Sequence, residues 1–201
     1  MRVSEAIEQL DAIHEHLTKA EVYRGFRVPG VALVGLVGLT AAAVQARVPG
    51  ADAPDGFVAY WLVVAGACAA IGGGAAGHAY AVREDEFARR RTRRVLAQFL
   101  PCVVAGAVVT AAFARGGPAL VVYLPGVWAV LFGLGVVAAR PYLPRGIGFV
   151  GLGYLVVGAG LLGQVASDPE LSPWHVGGVF GVGHLVTAVV LWCDRGRDAD
   201  G

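Results

Sequence analysis

The chain has 201 residues, of which 56% are hydrophobic and only 15% are charged, whereas soluble proteins contain about 25% charged residues. Its net charge is close to zero, at +1, and long apolar runs surround its 30 glycines. This composition excludes a disordered chain, a soluble enzyme and a soluble nucleic-acid-binding domain. It is typical of a protein that crosses a membrane several times.

The first 27 residues are polar and have no long apolar run, so they do not read as a cleavable signal peptide. Within them, Ile7, Leu10 and Leu17 recur at helical spacing, which predicts a cytoplasmic amphipathic helix. Between Met1 and Glu21, two basic side chains face five acidic ones. Helices that lie on anionic lipid normally carry a basic polar face, so we expect this apolar stripe to dock on protein.

Six apolar segments follow, and none has a charged side chain in its interior. A helix needs about 20 apolar residues to cross the ~30 Å hydrocarbon core of a bilayer. The pattern therefore predicts an all-α polytopic membrane protein, with a six-helix bundle over residues 28–193 and a short tail over 194–201. We expect the third helix to begin earlier than its apolar part, within an arginine-rich stretch. The predicted spans are Val28–Val48, Gly56–Val82, Phe99–Ala114, Pro118–Ala139, Gly146–Ala166 and Pro173–Trp192.

The basic residues predict the orientation of the spans. Of the 16 lysines and arginines, all but Arg47 and Arg115 lie in the N-terminal segment, the second and fourth loops and the C-terminal tail. Short loops that are rich in Lys and Arg stay in the cytoplasm. We therefore expect a multi-pass protein of the bacterial inner membrane with both termini in the cytoplasm.

A cluster of five arginines precedes the third span. Two interpretations stay open: the arginines bind the acidic N-terminal helix, or they set the topology and contact lipid phosphates. Nucleic-acid binding is not favoured, because no aromatic residues are interleaved with the arginines. The candidate contact residues are Arg89, Arg90, Arg91, Arg93 and Arg94.

Small residues indicate where helices approach one another closely. The second span contains Gly73-x-x-x-Gly77 and the sixth Gly177-x-x-x-Gly181. The fifth has two series at seven-residue spacing, which are Gly146, Gly153 and Gly160, and Gly151 and Gly158. We expect these glycines to pack helices within the bundle, with a homo-oligomer interface or a substrate groove as the alternative.

Tryptophans and prolines add further expectations. Trp61, Trp174 and Trp192 are placed where an aromatic belt contacts the membrane interfaces. Trp128 lies mid-span near Pro125, so we expect it to pack against a kink in the fourth span.

Few ionisable groups lie within the spans, and two of them are histidines away from the outer rim: His184 near the middle of the sixth span and His78 near the end of the second. Such groups are candidates for function. A bis-histidine haem is weakly supported, because the two residues differ in depth by about 7 Å. We expect instead a neutral His184, hydrogen-bonded near Thr187 or to Gln164, and predict neither a cofactor nor a metal site.

Several short motifs, spread over most of the chain, are similar to those of a known protein family. They are Glu21–Arg27, Phe99–Ala107, Leu124–Trp128, Leu131–Val136, and Ser172–Trp174 together with Phe180–Gly183. In these motifs the chain resembles a family of uncharacterised bacterial six-span membrane proteins. The resemblance implies six spans and a bacterial membrane, and it brings no activity, ligand or catalytic residue.

Two functions are compatible with these features. The first is a non-enzymatic inner-membrane protein, a sensor, regulatory or assembly partner that acts through its cytoplasmic face. The alternative is a small transporter or channel for a neutral or apolar solute, with His184, Gln164 and Trp128 along its path. The alternative depends on the six spans, a weak internal repeat and the glycine-lined last two spans.

Overall fold

The structure, a computed structural model, describes residues 28–48, 53–82, 86–144 and 146–199, without the side chains of 75–76, 78–82, 86–88, 91 and 195–199. The predicted N-terminal helix with Ile7, Leu10 and Leu17 lies outside the described residues. The elements are α1 (Val28–Gln45), α2 (Pro54–Val82), α3 (Glu86–Gly116), α4 (Pro118–Val121), α5 (Leu124–Ala139), a 3-10 turn (Arg140–Tyr142), α6 (Ile147–Gln164) and α7 (Pro173–Ala199).

Within the described ranges, six helical segments are long and apolar enough to cross a membrane. They coincide with the six predicted spans, so the all-α polytopic fold is confirmed. The segments are Val28–Gln45, Pro54–Gly74, Thr92–Gly116, Pro118–Tyr142, Ile147–Gln164 and Pro173–Asp194.

Several helix ends follow from local sequence signals. The third helix begins at Glu86, before its apolar part, as expected. The fourth span is divided into α4 and α5, and Pro125 lies in the first turn of α5, where its missing N–H costs no helical hydrogen bond. At the start of α7 the backbone N–H of Trp174 donates to Ser172 Oγ over 3.4 Å. The helix α7 runs to Ala199, so the predicted tail begins inside it.

Two clusters of buried apolar side chains show that successive helices alternate in direction. One cluster joins the start of α3 and α6 to the end of α5 and α7, and Val28 and Val31 at the start of α1 pack against it. We call this side of the bundle the arginine end, because the first turns of α3 lie there. The other cluster joins the end of α1 to the start of α2, α5 and α7. The arginine-end cluster consists of Val95, Ala139, Leu143, Ile147 and Leu191.

Glycines allow two pairs of helices to approach at backbone distance. A Cβ atom built on Gly35 of α1 would lie 2.9 Å from the carbonyl oxygen of Gly181 of α7. A Cβ atom on Gly158 of α6 would lie 2.9 Å from the carbonyl oxygen of Gly126 of α5. Only a residue without a side chain fits at these crossings, so the predicted packing role of Gly181 and Gly158 is confirmed.

The helix α2 belongs to the bundle at only one end. Its first turns bury Phe57 and Val58, but Leu62 and Val63 are already 52% and 72% exposed. Cβ atoms built on Gly73 and Gly77 would meet no described atom within 4 Å. The prediction that this glycine pair packs against another helix is therefore wrong for the part of the chain that the structure describes.

The three interfacial tryptophans differ in their surroundings. Trp174 and Trp192 are 49% and 68% exposed, as residues that contact a membrane interface would be. Trp61 is only 4% exposed, because it packs in the cluster at the end of the bundle opposite to the arginines. Its predicted place in an aromatic belt is wrong: apolar sequence around it does not tell a lipid-facing side from a protein-facing side.

The crossing of α5 and α6 gives a matched test. We expect Gly158→Ala to destabilise the bundle by about 1–3 kcal/mol, because the new methyl group meets backbone atoms that cannot yield. Gly160→Ala, two residues further on, meets no described atom within 4 Å. It should be neutral or slightly stabilising, since alanine favours a helix over glycine. Thermal unfolding in detergent measures both, and equal effects would contradict the packing described here.

Candidate functional site

The described interior contains few polar side chains, and those of Tyr60, Trp128 and Tyr154 make hydrogen bonds between different helices. The Tyr60 hydroxyl donates to the Ala41 carbonyl over 2.7 Å. The Trp128 indole N–H donates to Thr110 Oγ1 over 2.8 Å. The Tyr154 hydroxyl donates to the Phe180 carbonyl over 3.2 Å. Lipid hydrocarbon offers no hydrogen-bond partner, so each of these polar groups is satisfied by a neighbouring helix, and each bond links two helices.

His184 shares its acceptor with a tyrosine of the neighbouring helix. Its Nδ1 atom lies 2.7 Å from the Phe180 carbonyl oxygen and 3.3 Å from the Tyr154 hydroxyl. A carbonyl oxygen only accepts, so Nδ1 carries the proton and donates to Phe180. In the neutral ring, Nε2 is then the nitrogen with the lone pair. The partners of His184 are thus Phe180 and Tyr154, rather than Gln164.

Aromatic rings fill the space around this histidine. Phe132 of α5 lies at the centre, with the rings of Phe99, Tyr154, Phe180 and His184 at centroid distances of 5.2, 4.9, 5.3 and 5.5 Å. The Tyr154 hydroxyl occupies the position that a side chain on residue 183 would take, which is possible because residue 183 is glycine. The arrangement holds α5, α6 and α7 together and leaves the His184 ring packed against carbon on these sides.

Trp128 is connected to a different helix. Thr110 is buried, and its hydroxyl donates to the Gly106 carbonyl over 2.7 Å, which leaves a lone pair for the indole of Trp128. Two hydrogen bonds thus connect the Trp128 indole of α5, the Thr110 hydroxyl of α3 and the Gly106 carbonyl of α3 in series. Trp128 also packs against the buried cluster at the end opposite to the arginines.

The structure does not bring the predicted solute-path residues together. His184 contacts Phe180 and Tyr154, whereas Trp128 contacts Thr110. Gln164 is the last residue of α6, and its side chain is exposed. The side chain of the haem candidate His78 lies outside those described.

Sequence reasoning missed Tyr154 and Thr110 as the residues that complete these contacts. A signal for Tyr154 is present, since it lies three residues after Gly151 and four before Gly158, on the face that packs closely. No comparable signal marks Thr110, because a single threonine in an apolar helix is common on either face.

The predicted arginine cluster lies in the first turns of α3 and is partly exposed. Thr92 and Val95 are buried, while Arg90, Arg93 and Arg94 are exposed and point away from the bundle. We call these three residues the arginine face. Arg89 is half-buried, and the side chain of Arg91 lies outside those described.

An open apolar groove of about 690 Å³ lies along the same helix. Leu100, Val104 and Val108 are 58%, 52% and 63% exposed. The small side chains of Ala97 and Ala105 leave room between these larger ones. The described residues that line it are Ala97, Leu100, Pro101, Val104, Ala105, Val108 and Val109.

Other kinds of site are not visible in the described part of the chain: no group of three or more His, Cys, Asp or Glu residues there is placed to hold a metal ion. Comparison of the sequence and fold with protein-family models, curated proteins and solved structures gives no match. The fold and these contacts define an integral membrane protein, and the resemblance to a six-span bacterial family stays a prediction.

A pair of threonines tests the contact between α3 and α5. Thr110→Val keeps the shape of the side chain but leaves the buried Trp128 N–H without its acceptor, so we expect a loss of about 0.6–2 kcal/mol in unfolding free energy. Thr187 also donates to a carbonyl four residues back, that of Gly183, over 2.8 Å. Thr187→Val should therefore cost less, because no indole depends on it. Equal losses in thermal unfolding would show that the indole contact adds nothing.

Proposed function

We propose that this chain is a non-enzymatic integral protein of the bacterial inner membrane that acts as a sensor, regulatory or assembly partner through its cytoplasmic face. The observation that carries the proposal is the arginine face, three exposed cations on one side of α3 at one end of the bundle. The positive-inside rule assigns that end to the cytoplasm. A guanidinium binds carboxylate and phosphate groups through paired hydrogen bonds, so this face suits an anionic partner.

The start of α1 supports an acidic partner from within the chain. Val28 packs against the cluster that contains Val95, one turn after the first exposed arginines of α3. Val28 therefore lies at the same end of the bundle as the arginine face. Up to Glu21 the preceding sequence has five acidic and two basic residues, a charge opposite to that of the arginine face, and Arg24 and Arg27 follow before Val28. An exposed ion pair contributes at most about 1 kcal/mol, so apolar contacts of Ile7, Leu10 and Leu17 are needed as well.

The transport alternative has less support. A path for a solute needs an opening that its lining residues share. The rings of Phe132, Phe180 and Tyr154 pack around His184, while Trp128 and Gln164 have other neighbours. These contacts are those of a packed core.

Charge reversal on the arginine face tests the proposal. In Arg93→Glu/Arg94→Glu, the acidic N-terminal segment should lose its partner, and trypsin should cleave after Lys19 about three- to tenfold faster. The helix should persist, since glutamate and arginine have similar helix propensities. Arg115→Glu, at the other end of the same helix, is the matched control and should leave the rate unchanged. The proposal fails if Lys19 is cleaved at one rate in all three proteins.

A further inference from the structure

The arginine face and the apolar groove lie on the same side of α3. An α-helix turns by about 100° per residue, so positions three or four apart share a face. The series Arg90, Arg93/Arg94, Ala97, Leu100/Pro101, Val104 and Val108 follows this spacing without interruption through α3. The opposite side of the helix carries the buried Val95 and Thr110 and the ring of Phe99, which packs on Phe132.

The length of the groove equals the depth of one lipid leaflet. From Ala97 to Val108 the helix advances by about 16 Å, and half of a ~30 Å hydrocarbon core is ~15 Å. The exposed arginines begin one turn before Ala97, where the lipid phosphates would lie. A surface that is apolar over one leaflet and cationic at its border matches one lipid molecule from tail to headgroup.

The chemistry of the residues selects the kind of lipid. Arginine offers a planar set of donors that binds phosphate oxygens in pairs, and its guanidinium is always charged. After Arg93 and Arg94, this face continues with the uncharged residues Ala97, Leu100 and Val104. A headgroup with net negative charge is therefore favoured over a zwitterionic one, whose own ammonium group the arginines repel.

We propose that the outer face of α3 is a binding site for one anionic phospholipid, with its phosphate on Arg93 and Arg94 and an acyl chain in the groove from Ala97 to Val108. This inference rests on the proposed function, since it names a ligand for the same arginine face. A lipid that occupies these arginines competes with the acidic N-terminal segment for them. The protein would then respond to the anionic lipid content of its membrane.

Native mass spectrometry with defined lipids tests the site. The full-length protein in mild detergent is given equal amounts of phosphatidylglycerol and phosphatidylethanolamine. We expect one phosphatidylglycerol to remain bound and to be preferred about tenfold or more. Arg93→Gln/Arg94→Gln should reduce this binding about 25-fold, from about fivefold for each arginine near the membrane surface. Arg115→Gln, at the opposite end of α3, is the matched control and should not change it.

The groove is tested without any change in charge. Ala97 is exposed, so Ala97→Phe fills the groove without disturbing the packed side of α3. It should lower binding of phosphatidylglycerol, whereas Ala159→Phe, at an exposed alanine of α6, should not. Glycerol 3-phosphate alone should not bind, because it has no acyl chain.

Loss of lipid in both outer-face variants, with retention in both controls, supports the site. Equal retention of the two lipids overturns it, as does any loss that the controls share, or unchanged binding in either outer-face variant. The assay measures the mass of bound lipid, whereas the test of the proposed function measures cleavage at Lys19, so either proposal can fail alone.

Discussion

Lipid hydrocarbon is as apolar as a leucine side chain, so no hydrophobic gain pulls two helices together once they are in the membrane. Close packing and hydrogen bonds between helices have to supply the attraction, and small residues, above all glycine, permit the closest packing. In this bundle the backbones meet at Gly35 and Gly181, between α1 and α7, and at Gly126 and Gly158, between α5 and α6. These two crossings hold α1 against α7 and α5 against α6.

The helix α3 is attached to the second pair rather than by a glycine crossing of its own. The ring of Phe99 lies against Gly135 of α5, and the Trp128–Thr110 hydrogen bond adds a polar contact further along. Both contacts use one side of α3 only. The helix α2 cannot cover the other side by close packing, because it is anchored at its first turns and Leu62 and Val63 are already exposed. The exposed outer side of α3 is thus a consequence of how the bundle is assembled.

Hydropathy predicted the number of spans and most of their ends, because crossing ~30 Å of hydrocarbon is a requirement of each helix alone. The side of a helix that faces protein depends on where the neighbouring helices lie, and an apolar sequence does not indicate it. Gly158 and Gly160 are alike in sequence, yet only Gly158 contacts another helix. Trp61 packs in a cluster that several helices share, whereas Trp192 is exposed among the described residues. The arginine cluster could be predicted because basic residues beside a span can be recognised from that part of the sequence alone. The partner of His184 could not, because it depends on where Tyr154 of α6 lies.

The two sides of α3 have separate tasks, and this separation decides how the lipid site can be tested. Thr110 and Phe99 contact the bundle, while Arg93, Arg94 and Ala97 face away from it and contribute to no buried cluster. A substitution on the outer side therefore removes charge or fills the groove without opening a cavity between helices. Mutations at contacts far apart act nearly independently on stability. A loss of lipid binding from the outer side, at unchanged thermal stability, is thus evidence about the lipid site itself and not about the integrity of the bundle.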